Sequence, residues 1–158
     1  MVADSCVDLA RSCVGIAVKA GAAHPDISTE PALRAALLGA RSVAYSRIGA
    51  SGILFAQLIA RLGIASEINA RAQIIPQGFT AERLGTGEAD LAVQQISELK
   101  QVGGIEVVGP IPRALQRPAV FSAGRIEASN RTAASDRLLR FLASSEAAQV
   151  LRESGLEP

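Results

Sequence analysis

At 158 residues, with a formal net charge of +1, 49% hydrophobic and 20% charged side chains, the chain is long enough to bury a core and too apolar for a disordered segment. Basic and acidic residues are interspersed, with no basic block and no aromatic platform, so neither nucleic acid nor an anionic membrane surface is a supported partner. No apolar run is long enough to span a bilayer, and the N-terminal eight residues lack the basic-then-apolar order of a secretion leader.

Cys6 and Cys13 are the only cysteines. A disulfide between them needs Cα atoms within roughly 7 Å, which a tight hairpin gives; two incidental thiols are the plainer account, and a metal role the remaining one. Residues 14–19 are short, apolar and β-branched, which predicts a buried strand. A turn at His24-Pro25-Asp26 follows. Ser28 or Thr29 can cap a helix that has Glu30 and Pro31 in its first turn, Leu33, Ala36 and Leu37 on its apolar face, and Gly39 at its end.

Residues 42–45 form the next predicted strand, and Phe55, Leu58, Ile59 and Leu62 the apolar stripe of the next helix, stopped by Gly63. The pattern then repeats. Residues 70–75 alternate as a strand, Pro76-Gln77-Gly78 turns, residues 79–84 make a short helix and 89–94 return as a strand. A helical turn over 95–100 and strands over 105–108 and 118–124 complete the alternation, and two amphipathic helices, 136–142 and 146–152, close the chain. Strands alternating with helices argue for an α/β fold, with ligands at the carboxyl ends of the strands.

The turn Gly49-Ala50-Ser51-Gly52 between the second predicted strand and its helix is the most informative stretch. Small residues there leave backbone N–H groups and the positive end of the helix dipole open to an anion, with a hydroxyl from Ser51 and charge from Arg47. A glycine-capped helix with no ligand is the alternative. Catalytic constellations are absent from the sequence. One His, in a surface turn, and two cysteines give no metal spacing and no nucleophile–base pair. Glu82, Glu88 and Asp90 read as solvated charges, and Gly85-Thr86-Gly87 follows a helix and precedes a strand, the reverse of a dinucleotide fingerprint. Neither a cofactor nor a metal is therefore expected.

The two strand-turn-helix units, the segment from Gly87 to Leu99, and the ending Phe141–Ala148 with Ser154–Pro158 together resemble the bacterial periplasmic molybdate-binding proteins. These are type II solute-binding proteins of ABC importers. The resemblance implies a periplasmic-binding-protein-like α/β fold with one complete lobe around a mixed, mostly parallel sheet, plus crossing strands and C-terminal helices of an incomplete second lobe. It places a crossing strand and lobe remnant at 1–19, the complete lobe at 20–117, and the returning strand and helices at 118–158. By residue, it puts Ala50 and Ser51 at one helix-start contact and Gln77 with Gly78 near the next. Gln95 stands where molybdate binders carry a tyrosine, which widens the ligand class to a small oxyanion or carboxylate.

On this reading the chain is a binding protein and not an enzyme, with Arg47, Ala50, Ser51, Gln77, Gly78 and Gln95 as ligand-binding residues. The membrane subunits of an ABC importer are its expected partner, with a homodimer formed through the C-terminal helices and crossing strands. Its location is periplasmic by resemblance, or cytoplasmic if Met1 is the native start. The alternatives are an isomerase of a small polycarboxylate on the same fold, with Glu98, Glu82 or Tyr45 as the proton-transfer group, and a degenerate self-associating fragment.

Overall fold

The computed structural model describes residues 2–128 and 130–158. They divide into two compact units, one from Cys13 to Arg117 and a smaller one combining the chain up to Ser12 with Pro118–Pro158. In the larger unit β2 (Val14–Lys19) lies inside a five-stranded sheet of order β4-β3-β5-β2-β6. Its partners are β3 (Val43–Ser46), β4 (Gln73–Ile75), β5 (Leu91–Gln95) and β6 (Ile105–Pro110). Because Val14–Val18 are all buried and Gly15–Ala17 are paired on both sides, the unit starts at Cys13 rather than after residue 19.

The sheet is mixed. β3 pairs in parallel with β4 and β5, while β2 runs antiparallel to β5 and β6. The registers Ser46↔Ile75 and Ala44↔Ala92 bring the carboxyl ends of β3, β4 and β5 to one pole, where the amino end of β2 also lies through Val14↔Gln95.

Successive strand side chains face opposite ways, and this alternation sorts the core into two layers. On one face Ile16, Val18, Val43, Tyr45 and Val93 pack with Leu33 and Leu37 of α1 (Glu30–Gly39) and with Phe55, Leu58 and Ile59 of α2 (Ala50–Arg61). On the other, Ala17, Ala44 and Ala92 meet Leu84 of α4 (Glu82–Gly85) and Leu99 of α5 (Ile96–Leu99). Thr29 caps α1 by accepting the Ala32 N–H at 3.2 Å.

One helix has no counterpart among the predicted elements: α3 (Ala65–Asn69), after the left-handed Gly63 at φ +68°. Ile64 and Ile68, four residues apart, are both fully buried, so the predicted strand over 70–75 begins only at Gln73. A stretch this short shows too little of its period to be recognised.

In the smaller unit β1 (Val7–Ser12) pairs antiparallel with β7 (Ala119–Ala123), alongside α6 (Thr132–Leu142) and α7 (Ser145–Glu153). Arg11 and Glu157 add a reciprocal backbone bridge to β1. Among the described residues of this unit Ser5, Ala10, Ser12 and Ala147 are buried, whereas Val120, Phe121, Ile126, Leu138, Phe141 and Val150 are exposed. Cys6 is exposed, Cys13 is buried, and no disulfide joins them. Among the described residues no helix is long and apolar enough to cross a membrane.

Candidate functional site

The turn after β3 is held by contacts that leave no room for a side chain. A Cβ on Gly52 would stand 1.7 Å from the Ser46 carbonyl oxygen, so the first turn of α2 sits directly on the end of its strand. Gly49 is the N-cap and offers no capping side chain. The first helical bond is Ile53 N–H to the Gly49 carbonyl at 3.0 Å, leaving the amides of Ala50, Ser51 and Gly52 ahead of it in the turn. A Cβ on Gly49 would approach the Ser46 Oγ at 2.9 Å and the Ser51 Oγ at 3.9 Å, so two hydroxyls border the space that glycine leaves open. Ser46 and Ser51 are buried at 6% and 4% exposure, and Arg47 beside them is exposed. The Arg47 amide donates to the Ile75 carbonyl at 3.4 Å, tying this turn to β4.

Gln77 and Gly78 lie at the same pole, exposed, in the bend after β4, with Gly78 at φ +92°. They precede the helix rather than start it: α4 begins at Glu82. Their bend is held from below by Gln94, buried at 5% exposure, whose Oε1 accepts the Thr80 N–H at 2.8 Å and the Thr80 hydroxyl at 3.1 Å. The Nε2 of Gln94 donates to the Gly78 carbonyl at 3.1 Å. Gln95, the next residue, caps α5: its side chain accepts from the Glu98 backbone, and the Glu98 carboxylate accepts the Gln95 N–H at 3.3 Å. With its oxygen so engaged, the amide nitrogen is the group that Gln95 keeps for a ligand.

All six residues selected from sequence therefore fall at one pole, at the strand end, turns and helix start where β3, β4 and β5 finish. Sequence reasoning missed Ser46, Gly52 as a steric necessity, and Gln94. The signal for Gln94 was a glutamine in the inward register of a buried strand.

The three proton-transfer candidates are placed differently. The Tyr45 hydroxyl donates to Asn69 Oδ1 at 2.6 Å, and burial pushes its pKa up, against the charge of Arg47. Glu82 is exposed at the start of α4, while Glu98 is half-buried in its capping box. No group of His, Cys, Asp and Glu suited to a metal occurs among the described residues.

Two cavities bear on the site. A groove of about 600 Å³ opens from Ala50 along α2, past Ile53, Gln57 and Arg61, with Gln116 and Arg117 on its other side. An apolar cavity of about 540 Å³ lies near Lys19, Pro25, Arg41 and Asp90, at the opposite pole. There Arg41 is paired with Asp90 at 2.9 Å.

A two-faced α/β unit with small-residue turns gathered at the carboxyl ends of its parallel strands is an architecture that takes ligands at that pole. The chain belongs to the bacterial extracellular solute-binding protein family, whose model matches residues 1–157. The fold is shared with a substrate-binding domain assigned to a molybdenum ABC transporter from Clostridium difficile. That likeness has a TM-score of 0.80 and 16% identity, over 99% of this chain and 68% of the other. The Azotobacter vinelandii periplasmic molybdate-binding protein gives a TM-score of 0.71 with 18% identity, over 99% of this chain and 69% of the other.

A protein named aconitate isomerase, from a Pseudomonas species, is 40% identical over 156 residues, covering 98% of this chain and 59% of its own length. That relative overturns the expectation that the chain is not an enzyme. Nucleophile–base pairs and metal ligands are absent from the sequence, and an isomerisation by proton shift needs neither.

Proposed function

We propose that the pole formed by the loops after β3, β4 and β5 holds a carboxylate of a small polycarboxylate, aconitate first among them, and that the protein interconverts the double-bond isomers of that acid. The observation that carries this reading is the 40% identity to an isomerase across nearly the whole chain. The pole suits it chemically. Uncapped amides at Ala50–Gly52, the hydroxyls of Ser46 and Ser51, and Arg47 favour a bound carboxylate, with Gln77, Gly78 and Gln95 as further contacts.

Isomerisation removes a proton from the saturated carbon and returns one at the far end of the allylic system. The electron pair is held meanwhile by the adjacent carboxylates, so no oxidant, reductant or cofactor enters the balance. Donors aimed at those carboxylates stabilise the intermediate charge. Glu98 is the first proton-transfer group to test, because Glu98→Gln keeps the capping acceptor and removes the base.

Incubation with cis-aconitate, followed chromatographically, is expected to yield trans-aconitate without added cofactor. Glu98→Gln is expected to bind as before and lose most turnover. Absence of both binding and conversion in the unsubstituted protein contradicts the proposal. The family's ordinary role, delivery of a solute to importer membrane subunits, would use the same pole.

The proposed partner is a second copy of the chain. Among its described residues the smaller unit buries two serines and two alanines, yet it exposes Val120, Phe121, Leu138, Phe141 and Val150. Covering each is worth roughly 1.5–3 kcal/mol, and a two-stranded sheet is marginal by itself. Sedimentation equilibrium at micromolar concentration is expected to show a dimer, and Phe121→Asp with Phe141→Asp to shift it to monomer. A well-folded monomer of the unsubstituted chain would contradict this.

A further inference from the structure

Arg117 stands in the groove that opens from Ala50, and the groove's lining includes no acidic residue. Neither Arg117 nor Arg61, the other guanidinium there, is ion-paired among the described residues. For Arg61 a local explanation suffices, since a cation in the last turn of α2 is favoured by the helix dipole. Arg117 has none.

Its side chain is exposed, but the backbone that carries it is anchored. The neighbouring Gln116, buried at 7% exposure, accepts the Val14 N–H at 2.8 Å and donates to the Val14 carbonyl at 3.1 Å, fastening this segment to β2. A charged side chain beside a rigid anchor, facing a groove without counter-charge, has the makings of an anion contact.

We propose that this groove is a second carboxylate subsite, in which Arg117 and Gln57 take the distal carboxylate of a ligand whose first carboxylate sits at Ala50–Gly52. The inference rests on the polycarboxylate reading above and adds to it a basis for ligand choice. A helix rises about 1.5 Å per residue, so Ile53 stands about 4.5 Å and Gln57 about 10 Å along the axis from Ala50, and helical side chains lean back toward the N-terminus. The ligand's carbon chain covers the first part of that interval, and the long side chains of Gln57 and Arg117, reaching back toward the seat, cover the rest. A single tetrahedral oxyanion fills the first seat and leaves the groove empty. Ile53, exposed between the two polar positions, offers an apolar wall to the ligand's carbons.

Titration calorimetry with tricarballylate, a saturated tricarboxylate that cannot isomerise, tests the subsite against sulfate as the one-seat probe. Arg117→Gln is expected to weaken tricarballylate binding about tenfold or more and to leave sulfate within about twofold, because one charge-assisted contact is lost from one ligand only. Arg61→Gln should change both little. Unchanged tricarballylate binding in Arg117→Gln, or equal losses for both ligands, overturns the subsite while leaving the seat in place. Sulfate binding without tricarballylate binding in the unsubstituted protein overturns the polycarboxylate reading and the subsite together.

Discussion

Substituting alanine at Gly52 is expected to destabilise the protein by about 3 kcal/mol or more and to abolish anion binding. The added Cβ would lie 1.7 Å from the Ser46 carbonyl oxygen and 2.7 Å from its Oγ. Neither a backbone carbonyl nor the strand that carries it can retreat, so the start of α2 must lift from β3, and with it the amides of Ala50, Ser51 and Gly52. Urea unfolding followed by circular dichroism measures the stability, and calorimetry the binding. Gly39→Ala is the control, because a Cβ there meets nothing within 4 Å and its φ is not left-handed. A Gly52→Ala variant as stable as the parent would show that α2 does not rest on the strand end.

Phe55→Ala is expected to cost about 3–5 kcal/mol. Phe55 is fully buried on α2, one turn beyond the seat, and its ring meets that of Tyr45 edge-on with centroids 5.0 Å apart. Removing it opens a cavity between helix and sheet at the point where α2 is oriented over β3. The denaturation midpoint should fall with the slope unchanged, and anion affinity should fall further than in a core variant remote from α2, such as Leu84→Ala on the opposite face. Equal affinity losses in both would mean that the seat responds to stability alone.

The turn after β3 was legible as a turn because small residues between a strand and a helix have few physical roles. Arg47, Ala50 and Ser51 were placed from that turn alone, and the structure puts them at the pole where β3, β4 and β5 end. Gln94 escaped because its role depends on the bend around Thr80 and Gly78, sixteen residues or fewer away in sequence but joined to it only by folding. The helix at Ala65–Asn69 escaped through its brevity. The early position of the larger unit's boundary, at Cys13, depends on the pairing of β2 with both β5 and β6, a tertiary fact that local patterning does not encode. The proposed activity escapes sequence patterning for another reason: a proton shift between carbons asks for one base and a well-placed set of donors, and a binding site supplies donors without looking like an active site.

The claim on which the account rests is that a polycarboxylate binds at the carboxyl pole of the larger unit, and amide-resolved NMR titration with trans-aconitate tests it most directly. The account predicts saturable shifts of the Ala50, Ser51, Gly52, Gly78 and Gln95 amides, with Lys19, Arg41 and Asp90 at the opposite pole unmoved. Shifts confined to that opposite pole, or none at millimolar ligand, would contradict it.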